Sequence, residues 1–234
     1  MMFVATECTQ TSFKDFTLIM PAISVGNVGQ LAVDLIVSTL NMCRVGYIHT
    51  DLYSSPELRL AVLQIRTPII QTKSKKFCKL MVSWIKASGF SRTVLLSSSH
   101  AYQRDDQQLL GSPLRYLQTP SMQKVTGDRL KEMEWREMET VSAFPGVTDS
   151  EQRLYIPGGG ATKGLFTDSC AEDIPMAVVL IFCSEGDNIP DAFTLLNHLN
   201  TWLHLVDAPA QTQPKWRIPA SWRLLFGSGI PPAL

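Results

Sequence analysis

Charge is what this 234-residue chain has least of. Only 18% of its residues are Asp, Glu, Lys or Arg, and 21 acidic side chains cancel 21 basic ones. A nucleic-acid binder carries a basic excess to neutralise phosphates, and this balance shows none. Long apolar runs are missing too. The longest, Met176 to Cys183, has eight residues, far below the ~20 that a membrane helix needs. Lys14 and Asp15 interrupt the first apolar stretch with no basic region before it, so no signal peptide is expected. Cysteine occurs five times, at positions 8, 43, 78, 170 and 183, in no CxxC pair. That excludes a zinc-ribbon spacing and a paired disulfide framework and favours a reducing, intracellular compartment. Cys43 and Cys183 read as small core residues. Of four histidines, His198 and His204 share a predicted helix but lie six residues apart, about 240° around it, and cannot share a metal. No metal or cofactor is expected.

What the chain does have is apolar bulk, 45% of its residues. A chain of this length buries roughly 70–75% of its unfolded surface. Apolar side chains in excess of the core are then left for a partner surface.

The pattern along the chain alternates strand and helix. Phe16 to Met20 predicts a buried strand, followed by a glycine turn (Gly26-Asn27-Val28-Gly29) and a helix with two apolar stripes, one through Leu31, Leu35 and Ile36 and one through Val33, Val37 and Leu40. Val45 to His49 and Leu60 to Arg66 read as strands, with Tyr53 to Glu57 as the loop between them. Lys73 to Ala87 is helical, stopped by Gly89. Thr93 to Leu96 is a strand running into Ser97-Ser98-Ser99-His100. The middle is polar and irregular, with one short helix within Asp128 to Glu139. Leu154 to Ile156 is extended, a helix starts near Thr162, and Met176 to Cys183 predicts a central strand. Pro190 opens a last helix through Leu195, Leu199 and Trp202. The result is a single α/β domain over 1–234. It is a three-layer sandwich with a mostly parallel or mixed sheet and helices on both faces, followed by an aromatic, Pro- and Gly-rich C-terminal segment over 209–234.

Candidate chemistry is sparse. Ser97-Ser98-Ser99-His100 sits at a strand end, where α/β sites gather, but lacks the glycines of a nucleophile elbow. Pro157-Gly158-Gly159-Gly160-Ala161-Thr162-Lys163 offers backbone for a phosphate but not the GxxxxGK[ST] spacing. Gly26, Gly29 and Ala32 match a GxxGxxA dinucleotide pattern only in part, and a tight turn explains the glycines. Glu185, Asp187 and Asp191 read equally as an acid–base cluster or as partners of a helix start. No catalytic residue set assembles. Trp222, Leu224, Leu225 and Phe226 in the C-terminal segment are candidate partner contacts, since aromatics anchor interfaces; packing back on the domain is the alternative.

Five blocks together resemble the proteasome assembly chaperone 2 family. They are Met20-Pro21-Ala22-Ile23-Ser24-Val25-Gly26-Asn27-Val28-Gly29-Gln30-Leu31-Ala32, the stretch from Leu96 to Arg104, Ile156 to Gly160, Ser184 to Ala192, and Ser221 to Gly229. The resemblance spans about Phe13 to Leu234. It implies a phosphorylase-like α/β fold and a non-enzymatic chaperone of 20S proteasome assembly, nuclear and cytoplasmic. Its partners would be proteasome assembly chaperone 1, in a heterodimer, and the proteasome α subunits. The pair would promote α-ring formation and prevent ring mispairing, with no nucleic acid and no membrane involved. Two departures stand out. The chain is shortened near 51–58 relative to the family, which exposes a sheet edge if the missing piece is a strand. It also ends Pro232-Ala233-Leu234, without the hydrophobic–Tyr–any tripeptide by which some such factors dock. From the residues alone, the alternative is a nucleoside- or phosphate-binding enzyme of the phosphorylase-like fold.

Overall fold

Every residue of Met176–Cys183 is buried, and this run lies parallel to Arg92–His100, paired from Met176↔Thr93 through Cys183↔His100. These two strands form the spine of a computed structural model that describes residues 4–5, 12–47, 50–142, 152–207 and 212–224. The strands in chain order are β1 (Val4–Ala5), β2 (Thr17–Pro21), β3 (Cys43–Tyr47), β4 (Asp51–Ser55), β5 (Leu60–Leu63), β6 (Arg92–His100), β7 (Leu114–Gln118), β8 (Thr140–Ser142), β9 (Gln152–Leu154) and β10 (Met176–Cys183). The helices are α1 (Val28–Thr39), α2 (Ser74–Ser88), α3 (Asp106–Leu109), α4 (Pro120–Thr126), α5 (Arg129–Glu132), α6 (Thr162–Ala171) and α7 (Ile189–Leu203). The main sheet has the order β1-β3-β4-β5-β2-β6-β10-β7, and β8–β9 form a separate hairpin. The ladders β5–β2, β2–β6 and β6–β10 are parallel, and the rest of the main sheet is antiparallel.

Strand alternation splits the core into two layers. Ile19, Val94, Leu96 and Val179 point toward α1 and α7. Leu18, Met20, Leu95 and Val178 point toward α2 and α6. This is the expected three-layer α/β sandwich, with a mixed sheet and β10 in its interior.

Four expectations need correction. Tyr53 lies in strand β4, not in a loop. Leu52 and Ser54 face inward while Asp51, Tyr53 and Ser55 are half-exposed, and this alternation is too short and polar to stand out. β4 is paired on both sides, by β3 and β5, and the turn 56–59 closes it onto β5. The middle is not irregular: it holds β7, α3 and α4. β7 hides because its Arg115 is fully buried, its Nε 2.8 Å from Glu139 Oε1 and its Nη1 donating to the Ser112 and Leu114 carbonyls. A buried arginine with a carboxylate and carbonyls around it is tolerated, but in sequence it reads as surface. The helix expected within Asp128–Glu139 is only the four-residue α5. Cys43 is exposed on the sheet, not a core residue as Cys183 is.

The thiols should therefore differ in reactivity. Burial, with the Asp191 carboxylate adding to it, pushes Cys183 up to about 11, and burial also raises Cys78. A maleimide at pH 7.5 should label Cys43 in the native chain and reach Cys78 and Cys183 only in guanidinium. Peptide mass spectrometry reads this; prompt native labelling of Cys183 would contradict its burial.

Candidate functional site

The C-terminal ends of β2, β6 and β10 are where a fold of this kind places a ligand. Here that crevice is filled by protein. β6 continues through Ser97-Ser98-Ser99-His100, so consecutive serines point to opposite faces. Ser97 Oγ lies 2.6 Å from Thr162 Oγ1 on α6, whereas Ser98 Oγ turns toward α1, donating to the Val25 carbonyl at 2.5 Å and lying 2.8 Å from Ser24 Oγ. Ser99 Oγ donates to the Pro157 carbonyl at 2.9 Å. All three serines are fully buried. Each hydroxyl is held by a different neighbour, and Ser99 is bound to a carbonyl rather than to His100. A buried hydroxyl without a partner is costly, so these bonds are what allow three serines inside the sheet.

The glycine-rich turn after β9 lies directly over these strand ends. Val25 N donates to Gly158 O at 2.8 Å, and His100 N donates to Pro157 O at 3.0 Å. At Gly160, φ is +56° and a Cβ would overlap the Ile23 carbonyl. The glycines thus serve close approach of backbone to backbone, not a phosphate cradle. Gly29 works the same way: a Cβ there would sit 2.5 Å from the Leu96 carbonyl, so α1 seats its first turn directly on β6. Asp187, just before α7, and Asp191, in its first turn, act at the helix start. Asp187 accepts from Ile189 N at 3.1 Å, and Asp191 accepts from Asn188 Nδ2 at 2.8 Å. His198 is half-buried edge-on to Trp135 and burial lowers its pKa, while His204 caps the end of α7. Among the described residues no three His, Cys, Asp or Glu side chains gather as a metal site, and no helix is long and apolar enough to cross a membrane.

The C-terminal segment is used by the fold. Trp222 is buried and its indole N–H donates to Asp34 Oδ2 at 3.2 Å. Asp34 is itself buried in the middle of α1, where it also accepts from Gln64 Nε2 at 2.5 Å and Arg66 Nη1 at 3.2 Å. One carboxylate thus ties α1, the end of β5 and the C-terminal segment together. Trp216 is buried beside α7, with its indole N–H on Asn197 Oδ1 at 2.9 Å. Leu224 ends the short helical turn Ala220–Leu224; Leu225 and Phe226 lie outside the described residues. Of the four candidate contacts, the structure places the Trp222 side chain, and places it inward. The Asp34 hub was missed from sequence, although an aspartate between Val33 and Leu35 in a helix with two apolar stripes signals a buried carboxylate that needs donors.

An α/β sandwich whose ligand crevice is closed by its own loops defines a protein built around its surfaces. Residues 18–209 match the PAC2 family, and the chain belongs to that family. It is 62% identical to "Proteasome assembly chaperone 2" of Danio rerio and 48% identical to the protein of that name from Homo sapiens, in each case over all of both chains. The first alignment spans 259 positions, 25 more than the 234 residues here. Among solved structures, Pyrococcus furiosus PbaA, described as an archaeal homolog of proteasome-assembly chaperone, superposes with a TM-score of 0.64 at 12% identity over 89% of this chain and 88% of its own. Pyrococcus furiosus PbaB, an archaeal proteasome activator, gives 0.61 at 14% over 88% and 90%. These two likenesses concern the fold. The relatives carry the names of chaperones.

Trp222→Ala should cost ~3–5 kcal/mol in urea unfolding, the usual cost of emptying a buried tryptophan site. Trp222→Phe should cost about 1–2 kcal/mol, since the ring packing stays and only the bond to the Asp34 carboxylate goes. A Trp222→Phe variant as stable as the unsubstituted chain would show that the indole N–H contributes nothing.

Proposed function

We propose that this chain is a chaperone of 20S proteasome assembly. It pairs with proteasome assembly chaperone 1, and the heterodimer binds α subunits, promotes closure of the α ring and prevents its mispairing, in nucleus and cytoplasm. The observation that carries this reading is the end-to-end similarity, at 45–62% identity, to vertebrate proteins named for that role. The closed crevice supports it physically. Ser97, Ser98 and Ser99 are bonded internally and Gly160 is pressed on Ile23, so these serines and glycines serve the protein's own packing rather than a nucleoside or phosphate. The surface supports it as well. Tyr102, Leu110, Tyr155 and Ile70 are each more than half exposed, and exposed aromatic and aliphatic side chains serve as interface anchors. The glycines and serines that suggest an enzyme in sequence are used to hold the scaffold shut.

Co-expression tests the reading. With proteasome assembly chaperone 1, the chain should elute from size exclusion as a joint peak, and addition of α subunits should move that peak to ring-sized species. A chain that elutes alone, with no shift on either addition, would overturn it.

A further inference from the structure

The neutral balance of the chain breaks down in one place. From Lys73 through α2 there are five lysines (73, 75, 76, 79 and 86) and no carboxylate. Lys86 is paired, its Nζ 2.8 Å from Glu172 Oε2. Lys73, Lys75, Lys76 and Lys79 are exposed, and none forms an ion pair with a described carboxylate. Three of the four lie at the first turn of a 15-residue helix, where the backbone dipole already presents positive charge and cations are unfavourable. Helix stability alone would select against them.

Two of these lysines, Lys73 and Lys76, border a groove. The segment after β5 runs beside α2, and between them lies a cleft of about 590 Å³ with Ile69, Ile70, Phe77 and Leu80 on its walls and Lys73 and Lys76 at its rim. Ile70 is 64% exposed. A second concavity of about 230 Å³ shares Pro68 and Ile69 and carries the groove on to Ile23 and Gly160, at the closed strand ends. Clefts of ~300–1,000 Å³ are the size that buries a small ligand or a few side chains.

We infer that this groove receives an acidic segment of a protein partner, whose apolar side chains fill the cleft while its carboxylates pair with Lys73 and Lys76. Charge complementarity assigns the occupant's sign, and the apolar walls assign its anchors. The concave shape favours inserted side chains over a membrane, which an apolar face must penetrate. Phe77, half-buried, is the one aromatic side chain on the walls, so the cleft is no stacking platform for bases. The inference does not depend on which protein supplies the segment.

A photo-crosslinker, p-benzoylphenylalanine, in place of Ile70 tests it in the full chain, in cell extract. The cross-linked peptide, sequenced by mass spectrometry, should hold at least one large apolar residue flanked by Asp or Glu. Its yield should fall about tenfold in K73E/K76E and stay constant in K124E, which alters an exposed lysine on α4. Thermal unfolding of K73E/K76E should be unchanged or higher, because acidic side chains suit the first helical turn; a lost cross-link is then not a lost fold. A segment without carboxylates, a lipid or nucleic-acid adduct, no adduct, or a yield indifferent to K73E/K76E would each overturn the inference.

Discussion

The structure depends on backbone packed against backbone at the C-terminal ends of β2 and β6. The carbonyls of the turn at 157–160 accept from the amides of Val25 and His100, and Gly160 lies so close to Ile23 that only hydrogen fits between them. Everything around that contact follows. The serines of β6 are dry and must find partners within the protein, so Ser97 bonds Thr162, Ser98 bonds Ser24 and Val25, and Ser99 bonds Pro157. Those bonds fix the start of α6 and the turn before α1. Gly29 then lets α1 sit on Leu96, and α7 packs against α1 to complete one outer layer.

A crevice closed in this way leaves only the outside of the molecule for function. The α1/α7 layer is finished by the C-terminal segment, with Trp222 on Asp34 and Trp216 on Asn197. The opposite layer is less finished. There the segment after β5 and the first turns of α2 leave an apolar cleft edged by Lys73 and Lys76, which form no ion pair with a described carboxylate.

Much of this was legible in the sequence because strong periodicity survives folding. The β10 run, the two apolar stripes of α1, and the proline at the start of α7 each fixed an element, and together they fixed the sandwich. The losses have physical causes. β4 and β7 are short, and β7 carries an arginine whose burial depends on Glu139, 24 residues away, so local hydrophobicity misreads it. The pattern ends the strand at Leu96, with Ser97–His100 after it, whereas β6 runs through His100 and only three-dimensional placement shows the hydroxyls facing opposite layers. The aromatic tail fits partner anchors and inward packing alike in sequence, and Trp222 takes the inward course, held by a carboxylate 188 residues away. A lone aspartate inside an apolar helix was the available sign of that hub.

The central claim is that the crevice at the strand ends is closed by the protein itself and that partners engage the outer surface. Hydrogen–deuterium exchange on the chain alone, and on the chain bound to its assembly partners, tests this most directly. The account predicts that the amides of Val25, Ser98 and His100 exchange as slowly as the interior of β10 in both states, with new protection confined to surface segments. Fast exchange at those three amides in the free chain, slowed by added phosphate or nucleoside, would contradict it.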